Sequence, residues 1–177
     1  PRPWVVESTV SHEFEHLIHN DIDPDEFSWI DEGCAMYSEL LNGYGHPASH
    51  IRYYMIYHHF TSLTVWTGGL ENYGAVYLFM LYLSEHYGGG PTIQRLVREQ
   101  LNGIAGVNKL LADLGYEKRF DDLFKDWAIA NYLDDTTFAG GIYGYYTLVI
   151  PSADTMGWSI PYACLLYTSP SPRDRQK

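Results

Sequence analysis

The chain has 177 residues, 46% of them hydrophobic and 16% aromatic, which suits one folded domain with a real core and argues against disorder. Its 22 acidic residues against 11 basic ones give a net charge of −11, a balance that disfavours nucleic acid and anionic membrane surfaces as partners. No uninterrupted apolar run reaches the length of a membrane span. Residues 1–7 (PRPWVVE) read as the entry from an upstream element. Ser8 to Asn20 is the first predicted helix: Val10, Phe14, Leu17 and Ile18 make an apolar stripe, Ser8 or Thr9 can cap the start, and Asn20 with Asp21 can end it.

Inside that helix His12, Glu13, Phe14, Glu15 and His16 spell H-E-x-x-H. Helical residues four apart share a face, so His12 and His16 can aim their imidazoles at one point, with Glu13 beside it. In a chain with eight histidines the bare pattern is only suggestive. The acidic connection at residues 20–26 (NDIDPDE) reads as a solvated turn; Ca2+ is conceivable there, but the Gly and the terminal Glu of an EF-hand loop are not at their spacing.

A second helix is expected from Ser28 to Leu41, with Ile30, Cys34, Tyr37 and Leu41 on the core side and Gly43 as the stop. It carries the stretch W-I-D-E-G-C-A-M-Y-S-E. Catalytic zinc keeps three protein ligands and one open position, and His, His, Glu is an established set. Glu32 is the preferred third ligand to one zinc ion, with fifteen residues between it and His16. Glu39, nearly two helical turns further on the same face, is the competitor. Cys34, two residues from Glu32, is read as a small core residue.

Residues 47–60 (PASHIRYYMIYHHF) open with Pro and read as a third helix; His50, His58 and His59 on it are expected to be surface or core histidines. Tyr73 to Tyr87 is apolar almost all round, hence a buried helix, and Gly88, Gly89 and Gly90 end it. Pro91 to Leu101 and Val107 to Leu114 form a pair punctuated by Gly103 and Gly106. Phe120 to Leu133 is amphipathic, with Leu123, Phe124, Trp127 and Ala130 inward. Tyr143 to Ile150 is β-prone, and the expected organisation is a helical lobe over 1–135, a β-prone region over 136–163, and a tail over 164–177.

That tail, C-L-L-Y-T-S-P-S-P-R-D-R-Q-K, resembles the translation of a transposase-type sequencing adapter and is set aside from fold reasoning. Without it the balance is 8 basic against 21 acidic residues, a net of −13, and Cys34 is the only remaining cysteine, so no intrachain disulfide is expected.

Residues 12–16 followed by the block at 29–39 resemble the gluzincin metallopeptidases, in particular the W-L-N-E-G-F-A-x-Y-x-E block of aminopeptidase N-type enzymes, and are similar to hyicolysin-like secreted bacterial peptidases. The match covers about thirty residues; the His-to-Glu spacer is shorter than in aminopeptidase N-type enzymes, and Asp31 stands where Asn is usual. Rival zincin patterns fail, since the chain has His19 and Ile22 where a metzincin needs Gly and His, and Asp21 and Asp23 both miss position 22.

The resemblance implies a mainly α fold: the helical part of a gluzincin catalytic domain whose sheet lobe lies upstream of this sequence. It also implies that Glu39 accepts the outer N–H of a liganding histidine. Glu13 is then the general base. A donor to the oxyanion is also needed, and N-Y-G-A-V-Y looks like a variant of the stretch that supplies a tyrosine in aminopeptidase N-type enzymes, which makes Tyr73 the first choice and Tyr77 the second. The expected activity is zinc-dependent hydrolysis of peptide or protein substrates by a secreted or envelope endopeptidase. An aminopeptidase with the same metal site, or a non-catalytic helical binding module on the same scaffold, are the alternatives.

Overall fold

The computed structural model describes residues 3–150, and these are mainly helical, as expected. Seven α-helices follow one another: α1 (Pro3–Ile22), α2 (Ser28–Leu41), α3 (Ala48–Tyr57), α4 (Leu70–Tyr87), α5 (Gly90–Leu96), α6 (Ile104–Asp113) and α7 (Phe120–Leu133). Short 3-10 turns stand at His58–Phe60 and Ala139–Gly141. No helix among the described residues is long and apolar enough to cross a membrane. The sequence beyond Ile150, including the tail over 164–177, lies outside the described residues.

The molecule is built around α4. Every residue from Gly74 to Ser84 is buried, as an all-round apolar helix requires. Each large side chain in that run contributes about 1.5–3 kcal/mol by leaving water. On one side α4 meets α2 and on another α3, with α5 beyond. Where α4 meets α2 and α7, the rings of Trp29, Phe79, Phe120 and Trp127 form a cluster of edge-to-face and tilted pairs with centroids 5.6–5.8 Å apart, worth about 0.5–1.5 kcal/mol per pair beyond area burial.

Two glycines set the distances at which these helices cross. A Cβ at Gly74 would lie 2.2 Å from the carbonyl oxygen of His50 and 2.7 Å from Tyr54 Cβ, so α3 and α4 touch backbone to backbone there. A Cβ at Gly33 would come within 2.9 Å of Met80 Cγ and Cε, which draws α2 in against α4 one residue after Glu32.

Several expectations are corrected. Helix α1 begins at Pro3, not Ser8, because Pro is suited to a first turn and Trp4 to Glu7 simply continue it. Ser8 therefore caps nothing and donates instead to Glu39 on α2. The α1 stripe is solvent-exposed, with Val10 60%, Phe14 60%, Leu17 68% and Ile18 44% exposed, since α1 packs on α2 through its polar face. Leu41 and Phe124 are likewise exposed, whereas Ile30, Cys34, Tyr37, Leu123, Trp127 and Ala130 are buried as expected. In the turn after α1, Asp23 is not solvated: its N–H returns to the His19 carbonyl and its side chain is buried.

The β-prone stretch from Tyr143 to Ile150 forms no strand; its one bridge pairs Asp135 with Tyr143. Carboxylates take the place of a neighbouring strand. Asp134, at a left-handed φ of 42°, accepts the N–H groups of Tyr145 and Ile150, and Glu85 on α4 accepts those of Tyr146 and Thr147. Tyr145 and Ile150 thereby join the same core as α4.

At the α3–α4 crossing the two backbones are in contact, and Tyr73 immediately precedes it. Replacing Gly74 with Ala is expected to lower stability by about 1–3 kcal/mol, the usual cost of forcing atoms into a packed interior. Urea unfolding followed by circular dichroism measures it; an unchanged midpoint would mean the helices separate without cost.

Candidate metal centre

Where α1 lies along α2, one turn of α1 and the N-terminal half of α2 bring together His12, His16 and Glu32. His12 Nε2 and His16 Nε2 are 3.1 Å apart, and Glu32 Oε2 lies 3.3 Å from the first and 3.5 Å from the second. The three atoms form a nearly equilateral triangle. Ligands about 2.0–2.1 Å from a tetrahedral zinc ion lie about 3.3 Å from one another, so the triangle has the edge length of such a ligand face.

The outer nitrogens explain why this is not a simple hydrogen-bonded cluster. His12 Nδ1 is 3.1 Å from Glu39 Oε1, and His16 Nδ1 is 3.0 Å from Asp31 Oδ1. Carboxylates only accept, so both Nδ1 atoms carry hydrogen, and each neutral imidazole presents a lone pair at Nε2. Two lone pairs and a carboxylate oxygen then face one another, and Glu32 Oε2 is buried without a hydrogen-bond partner. Three acceptors so placed require a cation, either protons or a metal ion.

In the metal-free protein the cation is a proton. Burial works against charge on His12, but the carboxylates of Glu32 and Glu39 outweigh it and hold its pKa up at about 9. Asp31, followed by Glu32, raises that of His16 to about 10. Burial would raise Glu32, yet the two imidazoles take it down to about 2. The donor set therefore fits a zinc-class ion by composition, spacing and tautomer, and that ion would displace protons from both rings.

Glu39 sits on the outer side of His12, held by the Ser8 hydroxyl, while Glu32 alone reaches the shared inner side of both rings. Glu13 is exposed on α1, close enough for its charge to act on the Tyr73 hydroxyl. Tyr73 is half-buried against Trp66 and His12, with ring centroids 4.9 Å and 6.3 Å away, and its hydroxyl lies 3.5 Å from Glu32 Oε1. Burial first, then Glu32, pushes the pKa of that hydroxyl up and keeps it a donor. Tyr77 is not brought to the ligands: it is fully buried one turn further along α4, where its hydroxyl is paired with His46 Nδ1.

Two residues at the site escaped sequence reasoning. Asp31 appeared only as a mild replacement within a motif, yet it fixes the tautomer of His16; its place beside Glu32 at the start of α2 was the available signal. His50 was read as a surface or core histidine, and its ring lies 5.6 Å from that of Tyr73, with Nδ1 buried and unpartnered. Burial lowers its pKa, so it stands neutral beside the site.

Because both liganding imidazoles are protonated in the metal-free protein at neutral pH, zinc binding is expected to release about two protons per ion, and affinity should fall by roughly two orders of magnitude for each pH unit below about 9. Calorimetry in buffers of different ionisation enthalpy measures the release. A heat independent of buffer would show that the rings are already neutral.

Compared with known proteins, the chain matches no family model and no curated protein sequence.

Proposed function

We propose that this chain carries the catalytic centre of a zinc-dependent peptidase of the gluzincin type, with His12, His16 and Glu32 as metal ligands. The observation that carries the proposal is the acceptor triangle between α1 and α2, with its imidazole tautomers fixed from behind by Glu39 and Asp31. Zinc, when bound, supplies a Lewis acid that polarises the scissile carbonyl and brings the pKa of a water towards neutrality.

The protein's own groups do the rest. Glu13, next to His12 but outside the ligand triangle, accepts a proton from the attacking water and delivers it to the leaving amine. Tyr73, held protonated by burial and by Glu32, donates a hydrogen bond to the oxyanion that develops on the substrate carbonyl. Asp31 and Glu39 keep both imidazoles in the liganding tautomer throughout. Peptides or proteins are the substrates this chemistry suits, and the resemblance of the two motifs to secreted bacterial peptidases supports endopeptidase action outside the cell.

Glu13→Gln is expected to retain zinc while lowering peptide hydrolysis by at least about two orders of magnitude, the scale of general-base catalysis. Casein cleavage by a folded, zinc-loaded Gln variant at the parent rate would remove Glu13 from the mechanism. Glu32→Ala should lower the zinc content of purified protein, read by elemental analysis; zinc retained in full would transfer the third ligand to another carboxylate.

A further inference from the structure

Deeper between α1 and α2 lies a second group that peptide hydrolysis does not use. Glu15, His19 and Cys34 each offer one ligand atom, and these atoms lie within 4.8 Å of one another. The His19 side chain is 1% exposed and Cys34 is equally buried, while Glu15 is 12% exposed with both carboxylate oxygens buried. Neither carboxylate oxygen of Glu15 and neither ring nitrogen of His19 has a hydrogen-bond partner. His19 Nδ1 stands 3.5 Å from Glu15 Oε1 and 3.3 Å from Asp31 Oδ1, near them but without hydrogen-bond alignment.

Four buried polar atoms left unmatched in one place are costly, at about 1–3 kcal/mol each. Such a concentration calls for something that bonds to both side chains at once. A proton shared between Glu15 and His19 would serve one oxygen and one nitrogen but leave the Cys34 thiol beside them unused. A metal ion satisfies one oxygen and one nitrogen directly, and it gives the thiol beside them a role that packing alone does not.

We propose that Glu15, His19 and Cys34 form a second site for a zinc-class transition-metal ion, a thiolate-containing clamp that fastens α1 to α2 behind the His12–His16–Glu32 centre. A sulfur, nitrogen and oxygen set selects against calcium and magnesium, which take oxygen ligands, and favours borderline ions such as zinc and cobalt. On binding, the Cys34 thiol loses its proton to solvent and its sulfur bonds to the ion, together with one imidazole nitrogen and one Glu15 oxygen. Ligand distances of about 2.0–2.3 Å draw the three atoms to less than about 4 Å apart, a contraction that Glu15, the most exposed of the three, can supply. Asp31 touches both His16 and His19, so one carboxylate lies behind ligands of both sites.

The test uses the full chain with Cys164→Ser, which leaves Cys34 as its single thiol. After removal of metal by chelation, titration with cobalt(II) is expected to take up two equivalents and to develop thiolate-to-cobalt charge-transfer absorption in the near ultraviolet. Cys34→Ser in that background should bind one equivalent, lose the charge-transfer band and keep the visible absorption of the nitrogen–oxygen site. The pair His12→Gln with Glu32→Gln should do the reverse, keeping one equivalent and the band, which separates this site from the peptidase centre. A parent chain that lacks the band, or a folded Cys34→Ser chain that still binds two equivalents, overturns the proposal. If circular dichroism shows Cys34→Ser unfolded, His19→Asn takes its place; it keeps the thiol, must lose the second equivalent with the band, and overturns the proposal if it loses neither.

Discussion

His12 Nε2, His16 Nε2 and Glu32 Oε2 are pointed at one another where α1 meets α2, and the surrounding structure prevents them from turning away. Left to themselves, two imidazoles this close would rotate until one donated to the other. Here each ring is held at its far nitrogen by a carboxylate on α2, Glu39 for His12 and Asp31 for His16. That restraint makes the convergence an organised cation site rather than a chance proximity of polar side chains. It also divides the labour along α2, which supplies one inner carboxylate and two outer ones within nine residues.

The rest of the fold keeps α2 where it is. One face of α2 is sealed against α4 through Gly33 and Tyr37, and another holds the carboxylates up to α1. Helix α4 in turn is surrounded on all sides, and it also carries Tyr73 to the edge of the ligand triangle. The site is therefore assembled from three helices, with the most deeply buried of them acting as the fixed reference for the other two. The apolar stripe of α1 contributes nothing to this arrangement, since it faces solvent.

Much of this was legible in the sequence, and the parts that were not share a physical origin. Helices α2 and α7 begin and end where the apolar periodicity and the stop signals place them, because local chemistry and tertiary packing agree there. The convergence of His12, His16 and Glu32 followed from a spacing of four and a short return. The start of α1 was misplaced because Ser8 looks like a cap, when its hydroxyl is taken by a carboxylate 31 residues away. Asp31 and His50 were passed over because their roles depend on the angle at which helices cross, which no local pattern encodes. Tyr143 to Ile150 has the composition of a strand but no strand beside it; the carboxylates that replace one come from Glu85 and Asp134.

Gly33 stands between Glu32 and Cys34, and the missing side chain there is filled by Met80 from α4. The reach of the position 32 carboxylate towards the two rings is consequently set by how closely α2 packs on α4. In the proposed zinc centre, ionic radius and helix spacing become a single variable. Repacking the interior at Met80 would move that carboxylate and so change which ion the proposed centre prefers.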